Sequence, residues 1–403
     1  MNNQQASRYP SRHCMVVHAY YPYGETRVER QARALLDHGH EVDVICLRAG
    51  GEPATVVEQG VNVYRLPVKR HKRSGAVVQL LEYLAFFLLV FAKLAVLHRQ
   101  RHYRVVQVHN LPDFLIFAAL IPRLSGARLI LDLHDLMPEF FAARFNRDLT
   151  VWPVRLISWQ ERLACRFADH VITVTELWRQ ALIERGVPPE KVSVVMNVAD
   201  DRIFRRDAAS QRPPGADGCF DLIYHGSLTR RYGIDLAIRA VDMVRGEIPG
   251  VHLTIHGGGE YRDALKQLAD ELHLHEHVSF STRFMPTSEL PKFIRSANVG
   301  LVPYQRDLFT DGILPTKLME YAAMGVPVIA ARTPAIGAYF SDMMVQFFNP
   351  GDADDLARCI LQLYRDRERL AQLVENADEF NRRYNWTKLG AEYVALVKRV
   401  GSE

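Results

Sequence analysis

Asp207–Gly218 reads DAASQRPPGADG, and this stretch decides the fold. It is rich in Pro, Gly and Ser and nearly free of apolar side chains, so it reads as a linker. About 205 residues precede it and about 185 follow, each enough for one domain. Outward from it, short β-branched runs alternate with helical stretches. Before the linker the runs are Cys14–Ala19 (CMVVHA), Glu41–Cys46 (EVDVIC), Val105–Val108, Leu129–Leu131, Val171–Val174 and Val192–Val195. After it they are Leu222–Tyr224, Leu253–Ile255, Val278–Phe280, Val299–Val302 and Val326–Ala330. Near-continuous apolar strands alternating with helices mean parallel sheets covered on both faces. One large open sheet is the alternative, and the linker argues for two.

The expected architecture is therefore α/β, with two facing Rossmann-like, doubly wound parallel-sheet domains. The boundaries are 1–205, a linker at 206–218, 219–385, and a C-terminal helix at 386–403 packing back on the first domain. Ligands of such sheets bind at the carboxyl ends of the strands, which predicts a cleft between the domains.

Composition narrows the function. Of 403 residues, 48% are hydrophobic and 24% charged, which excludes a disordered chain, a collagen-like chain and a coiled coil. The net charge of +4 is uneven: residues 1–205 carry +7 and residues 206–403 carry −3. Basic surface attracts nucleic acid, anionic lipid or a phosphorylated substrate. The basic residues lack interleaved stacking aromatics, so nucleic acid is not expected as a partner. Five scattered cysteines without a CxxC argue against a disulfide framework and a structural zinc site. Met1–Arg12 is polar, with no secretory signal, so a cytoplasmic protein is expected.

Ala76–Leu97 (AVVQLLEYLAFFLLVFAKLAVL) is the one transmembrane candidate. Its uninterrupted apolar core, Tyr83–Ala92, falls short of the ~20 residues needed to span a bilayer. A buried crossover helix and an interfacial helix both fit better. The basic cluster Lys69–Arg73 (KRHKR) just before it suits attachment to an anionic inner-leaflet surface.

Several strand ends carry polar groups. Leu131–Glu139 (LDLHDLMPE) places Asp132, His134, Asp135 and Glu139 after one strand, as a metal-ligand set or a polar active-site cluster. His109–Asp113 (HNLPD) ends the neighbouring strand, with Asp113 also a candidate helix cap. His256–Gly259 (HGGG) is a strand-to-helix turn that suits phosphate, or simply a tight turn. Arg230 and Arg231 follow the strand ending at His225–Gly226 and suit an anion. In Asp311–Pro327 (DGILPTKLMEYAAMGVP), Pro315 suits a first helical turn and Thr316 a cap. Lys317 at a helix N-terminus is electrostatically misplaced unless an anion sits there. Glu320, on the same face, suits a ribose diol; the alternative is a surface Lys–Glu pair.

Together these pieces resemble a retaining glycosyltransferase of family 4 with a GT-B fold, of the kind that builds bacterial surface polysaccharides. The resemblance runs in order through Gly24–Ile45, Tyr103–Leu120, Leu129–Phe141, Ala168–Phe204, HGSLTRRYGIDLAIRAV and PTKLMEYAAMGVPVIA. It implies an acceptor-side first domain and a nucleotide-sugar-binding second domain. It implies transfer of a sugar from a nucleotide diphosphate donor, with no cofactor and no metal. Diphosphate contacts fall on Gly24, Arg230, Arg231, Pro315, Thr316 and Lys317, and the ribose contact on Glu320. The active-site histidine falls on His134, and catalytic roles on His134, Arg231 and Lys317. Asn110, Asp135, Glu139, Asp311 and Gly312 are donor-sugar or acceptor contacts. The chain departs from the family pattern at Gly312, where many members have glutamate, and at Ser227 and Tyr232, where many have Arg and Lys. The implied partners are a nucleotide sugar, a saccharide or polyprenyl-diphosphate-linked acceptor and the cytoplasmic face of the inner membrane. A nucleotide-sugar epimerase of the same architecture and a non-catalytic partner in polysaccharide assembly are the competing readings.

Overall fold

The computed structural model describes residues 11–23, 25–70, 75–145, 147–206, 219–281 and 285–402. Gly24, the last three residues of the basic cluster, His71–Arg73, and the linker segment Asp207–Gly218 lie outside the described residues. The chain divides into two units, Met1–Met196 with Lys388–Glu403, and Asn197–Thr387. The division falls at Met196, ahead of the boundary drawn at 205 from the sequence.

The first unit carries an eight-stranded sheet. Its strands are β1 (Arg12–Tyr20), β2 (Glu41–Leu47), β3 (Thr55–Glu58), β4 (Val61–Leu66), β5 (Val105–His109), β6 (Arg128–Asp132), β7 (His170–Thr173) and β8 (Val192–Val194), in the order β3-β4-β2-β1-β5-β6-β7-β8. All neighbours run parallel except the edge hairpin β3–β4. Cys14, Met15 and Val16 in β1 are fully buried, as a strand covered on both faces requires. The winding reverses between β1 and β5, so the carboxyl ends of β5 and β6 border the switch point where doubly wound sheets bind ligands. Register places His109 opposite Asp132 at those ends.

The second unit carries six parallel strands, β9 (Phe220–His225), β10 (Val251–His256), β11 (Val278–Ser281), β12 (Val299–Val302), β13 (Val328–Ala331) and β14 (Gln346–Phe348). Their order is β11-β10-β9-β12-β13-β14, with the reversal between β9 and β12.

Two helices bear on function beyond filling out the layers. The Trp386–Ser402 helix buries Leu389, Tyr393, Val394, Val397 and Val400, and the Tyr393 hydroxyl donates to Gln107 of β5 at 2.6 Å. The Ala76–Arg101 helix crosses over from β4 to β5 and is covered only along one narrow face. Phe86, Val90, Leu94 and Leu97 are buried, while Val77, Leu80, Leu81, Leu84 and Leu88 face solvent.

Candidate active site

In the second unit, the loops after β9 and β12 and the Thr316–Met324 helix build one cationic cluster. Lys317 sits in the first turn of that helix and is buried. Its Nζ donates to the Tyr304 hydroxyl at 2.9 Å and lies 4.9–5.1 Å from the ring centres of Tyr224, Tyr232 and Tyr304. Ring faces attract cations, so the three tyrosines hold an ammonium that no carboxylate approaches at ion-pair distance among the described residues. Burial lowers Lys317 from its ordinary 10.5 to about 8, opposed in part by Glu320. The stem passes so close to Gly226 that a Cβ there would sit 3.2 Å from Lys317 Cε.

The helix N-terminus differs from expectation. Pro315 occupies the capping position, Thr316 is the first helical residue, and no side chain caps the end. An uncapped N-terminus offers amides and a partial positive charge to an anion. The surface Lys–Glu pair also fails, because Glu320 pairs instead with His225, Nε2 to Oε2 at 3.2 Å. Arg231 is half-buried, with its guanidinium 3.8 Å from Asp307 and over the Phe309 ring at 5.2 Å. Arg230, one residue earlier in the same 3-10 turn, is exposed.

Asp311, read as a sugar contact, gives both carboxylate oxygens to Arg306 at 2.7–3.2 Å, and Gly312 continues that same loop. Gly257 and Gly259 of His256–Gly259 serve close packing. Gly257 has φ of +144°, and a Cβ there would lie 1.9 Å from the Gly226 carbonyl oxygen. The two turns are further zipped by Gly226 N to His256 O at 3.0 Å and Leu228 N to Gly258 O at 2.9 Å.

In the first unit, the ends of β5 and β6 gather a buried polar ladder. Asp132 accepts from Arg27 Nη2 at 2.8 Å, Gln31 Nε2 at 2.8 Å and Gln107 Nε2 at 3.1 Å. Burial alone would raise the Asp132 carboxyl, but Arg27, His109 and His134 around it hold it well below the ordinary range. His109 Nδ1 lies 3.3 Å from Asp132 and shares a 3.0 Å hydrogen bond with His134 Nε2. His134 Nδ1 faces Glu25 at 3.6 Å. Burial lowers His134 to about 3 and raises Glu25 to about 7, so the imidazole is neutral at neutral pH. His109, Asp132 and His134 are close enough to share a metal ion. However, Arg27, Gln31 and Gln107 occupy both Asp132 oxygens, and the donor chemistry fits a hydrogen-bonded ladder better than a metal site.

Asn110 ties the two loops together. Its Oδ1 accepts from the His134 amide at 2.7 Å, and its Nδ2 donates to Asp113 at 2.9 Å and to the Asp135 carbonyl at 2.5 Å. Asp113 does not cap the following 3-10 turn; it is fully buried, and burial pushes it up to about 8. Asp135 is half-buried beside this knot. Glu139 pairs with Arg185, which also holds Glu161 at 2.8 Å. Sequence reasoning missed Arg27, Gln31 and Gln107, and it missed the tyrosine ring around Lys317. The one signal for Arg27 and Gln31 was a charged and an amide residue on the apolar face of the first helix.

Comparison with known proteins gives the family. Residues 24–197 match the glycosyl transferase 4-like domain, and residues 206–380 match glycosyl transferases group 1. A Salmonella typhimurium glycosyltransferase assigned to colanic acid biosynthesis, WcaL, is 26% identical over 394 residues, covering 88% of this chain and 91% of that one. The chitobiosyldiphosphodolichol beta-mannosyltransferase of Candida albicans is 21% identical over 370 residues, covering 85% and 79%. Among solved structures, Anabaena HepE in complex with UDP superposes with a TM-score of 0.72 at 18% identity, covering 96% of this chain and 100% of that one.

Proposed function

The chain belongs to the glycosyltransferases, its front half to the glycosyl transferase 4-like domain and its back half to glycosyl transferases group 1, and from that premise we propose that its second unit holds the diphosphate of a nucleotide sugar. The sugar passes, with retention at the anomeric carbon, to a saccharide or polyprenyl-diphosphate-linked saccharide in bacterial surface polysaccharide synthesis. The observation that carries this reading is Lys317, a buried cation that has no carboxylate partner among the described residues and sits at an uncapped helix N-terminus. Its neighbour across the switch point is the turn bearing Arg230 and Arg231.

Breaking the bond from the anomeric carbon to the phosphate oxygen leaves negative charge on the diphosphate. Lys317, Arg231 and the helix N-terminus stabilise that charge as it develops. The acceptor oxygen bonds to the anomeric carbon on the face the nucleotide leaves, and its proton passes to the departing phosphate. Glu320 holds the ribose diol after exchanging His225 for it. Neutral His134 orients sugar or acceptor by hydrogen bonding. Fixed cations supply the charge stabilisation, so the reaction runs without a metal cofactor.

The test is a panel of UDP-, GDP-, ADP- and dTDP-sugars, scored by melting temperature and slow hydrolysis, with the product anomer read by NMR and the assay repeated in EDTA. One donor raises the melting temperature, gives an axial or equatorial product matching its own anomer, and turns over equally in chelator. No response to any donor overturns the reading. Epimerised free donor without an acceptor identifies an epimerase instead.

A second element supports a membrane-bound acceptor. Among the described residues, the Ala76–Arg101 helix is the one long and apolar enough to cross a bilayer by length and composition. Its Phe86, Val90 and Leu94 are sealed within the unit, while no charged side chain interrupts its exposed face from Val77 to Ala92. We read it as an interfacial helix that holds the enzyme peripherally at the cytoplasmic membrane face.

A further inference from the structure

The Trp152–Phe167 helix presents a second face that the reaction does not use. Val154, Glu161, Ala164 and Cys165 turn inward, and Arg185 pins Glu161 at 2.8 Å, which fixes the helix in rotation. Trp152, Arg155, Leu156, Trp159 and Arg162 turn outward, at the three- and four-residue spacing of one helical stripe. Trp152 is 77% exposed, Leu156 54% and Trp159 56%. Phe145 and Leu149 on the preceding segment are exposed as well. Large apolar side chains grouped on a surface mark a contact site.

The charge of this face identifies what it contacts. Arg144, Arg147, Arg155, Arg162 and Arg166 are exposed and none forms an ion pair, whereas Asp148 is the sole exposed acid between positions 140 and 167 among the described residues. A second copy of the chain on this face would set arginines against arginines. An anionic bilayer accepts both components: tryptophan sits at the headgroup level and arginine meets phosphate. The Trp152–Phe167 helix and the Ala76–Arg101 helix pack on the same 3-10 segment, Asp113–Ala119, with Phe167 against Phe117 and Phe87 against Phe114.

We propose that the Trp152–Arg162 stripe is a second lipid-contacting surface, which docks the first unit onto an anionic phospholipid bilayer alongside the Ala76–Arg101 helix. It rests on the membrane reading of that helix, and the experiment separates the two.

The protein supplies its own probe. Of its four tryptophans, Trp178 and Trp386 are buried, 2% and 4% exposed, and the other two lie on the stripe. The full chain is mixed with vesicles of equimolar phosphatidylethanolamine and phosphatidylglycerol, with and without brominated acyl chains, and with phosphatidylcholine vesicles as control. Anionic vesicles sediment the protein, shift its tryptophan emission to the blue, and quench it when brominated. Trp152→Phe with Trp159→Phe retains sedimentation and loses the quenching. Trp152→Ser, Leu156→Ser and Trp159→Ser together weaken partitioning about tenfold or more at unchanged melting temperature. Sedimentation without tryptophan quenching overturns the second surface and leaves the Ala76–Arg101 reading standing. No sedimentation overturns both. A blue shift that follows protein concentration without lipid makes a second copy the occupant and overturns the proposal.

Discussion

The ammonium of Lys317 lies 2.9 Å from the hydroxyl of Tyr304, within a ring of three tyrosines, and not against Glu320 one turn along its own helix. A cation compensated by ring faces keeps its full charge for an incoming anion. A carboxylate in the same place would cancel it. The aromatic ring is therefore what makes this lysine usable.

The pH dependence follows from its surroundings. Burial places Lys317 near 8 in the folded chain, below its ordinary 10.5, so the unfolded chain holds the extra proton between those values. This group makes the empty protein more stable as pH rises from about 8 to 10.5. Nucleotide binding needs the protonated amine and runs the opposite way. The increase in melting temperature given by the best-binding nucleoside diphosphate shrinks as pH climbs through about 8. Lys317→Met loses both trends; an increment that stays level across that window in the wild type contradicts the assignment.

Tyr304→Phe keeps the ring and removes the acceptor of the Lys317 hydrogen bond. Nucleotide affinity falls about tenfold, the strength of one hydrogen bond to a charged group. The alkaline limb of binding moves to lower pH, because the ammonium loses support. Titration calorimetry at several pH values checks both. Unchanged affinity and an unmoved limb mean that the hydroxyl does not position the lysine.

In the first unit, Asp132→Asn leaves the buried Arg27 guanidinium without its counter-charge. Removing one member of a buried pair costs about 3–5 kcal/mol, read by urea denaturation. His134→Ala, at the solvent end of the same ladder, lowers turnover and leaves nucleotide affinity unchanged. Equal losses in affinity and turnover for His134→Ala contradict a sugar- or acceptor-orienting role.

Gly257→Ala tests the packing of one turn on another. The new Cβ meets the Gly226 carbonyl oxygen at 1.9 Å, at a φ of +144° that alanine resists. The cost is about 2 kcal/mol or more, read as a lower melting temperature. A stable variant means the HGGG glycines are there for something other than close approach.

The two sheets were legible because their strands are local, continuous apolar runs such as Val105–Val108 and Val299–Val302. The edge hairpin Thr55–Leu66 was not, since a short half-exposed strand pair leaves no such run. His134 and Lys317 were legible as chemistry at the ends of elements. Their supports were not. Tyr224, Tyr232 and Tyr304 converge from two different loops and a strand, and Arg27 reaches Asp132 from 105 positions away. The pairing of Glu139 with Arg185 and of Asp311 with Arg306 was illegible for the same reason, because a motif does not record such contacts.

The hydrogen bond from Tyr393 to Gln107 ties residues 286 positions apart. Gln107 in turn supports Asp132 beneath the two histidines, so the Trp386–Ser402 helix belongs to the lobe that the ribosome makes first. Order of synthesis and order of assembly therefore diverge in this protein. The leading lobe waits, one helix short, until the trailing lobe has been made and Trp386–Ser402 emerges to close it.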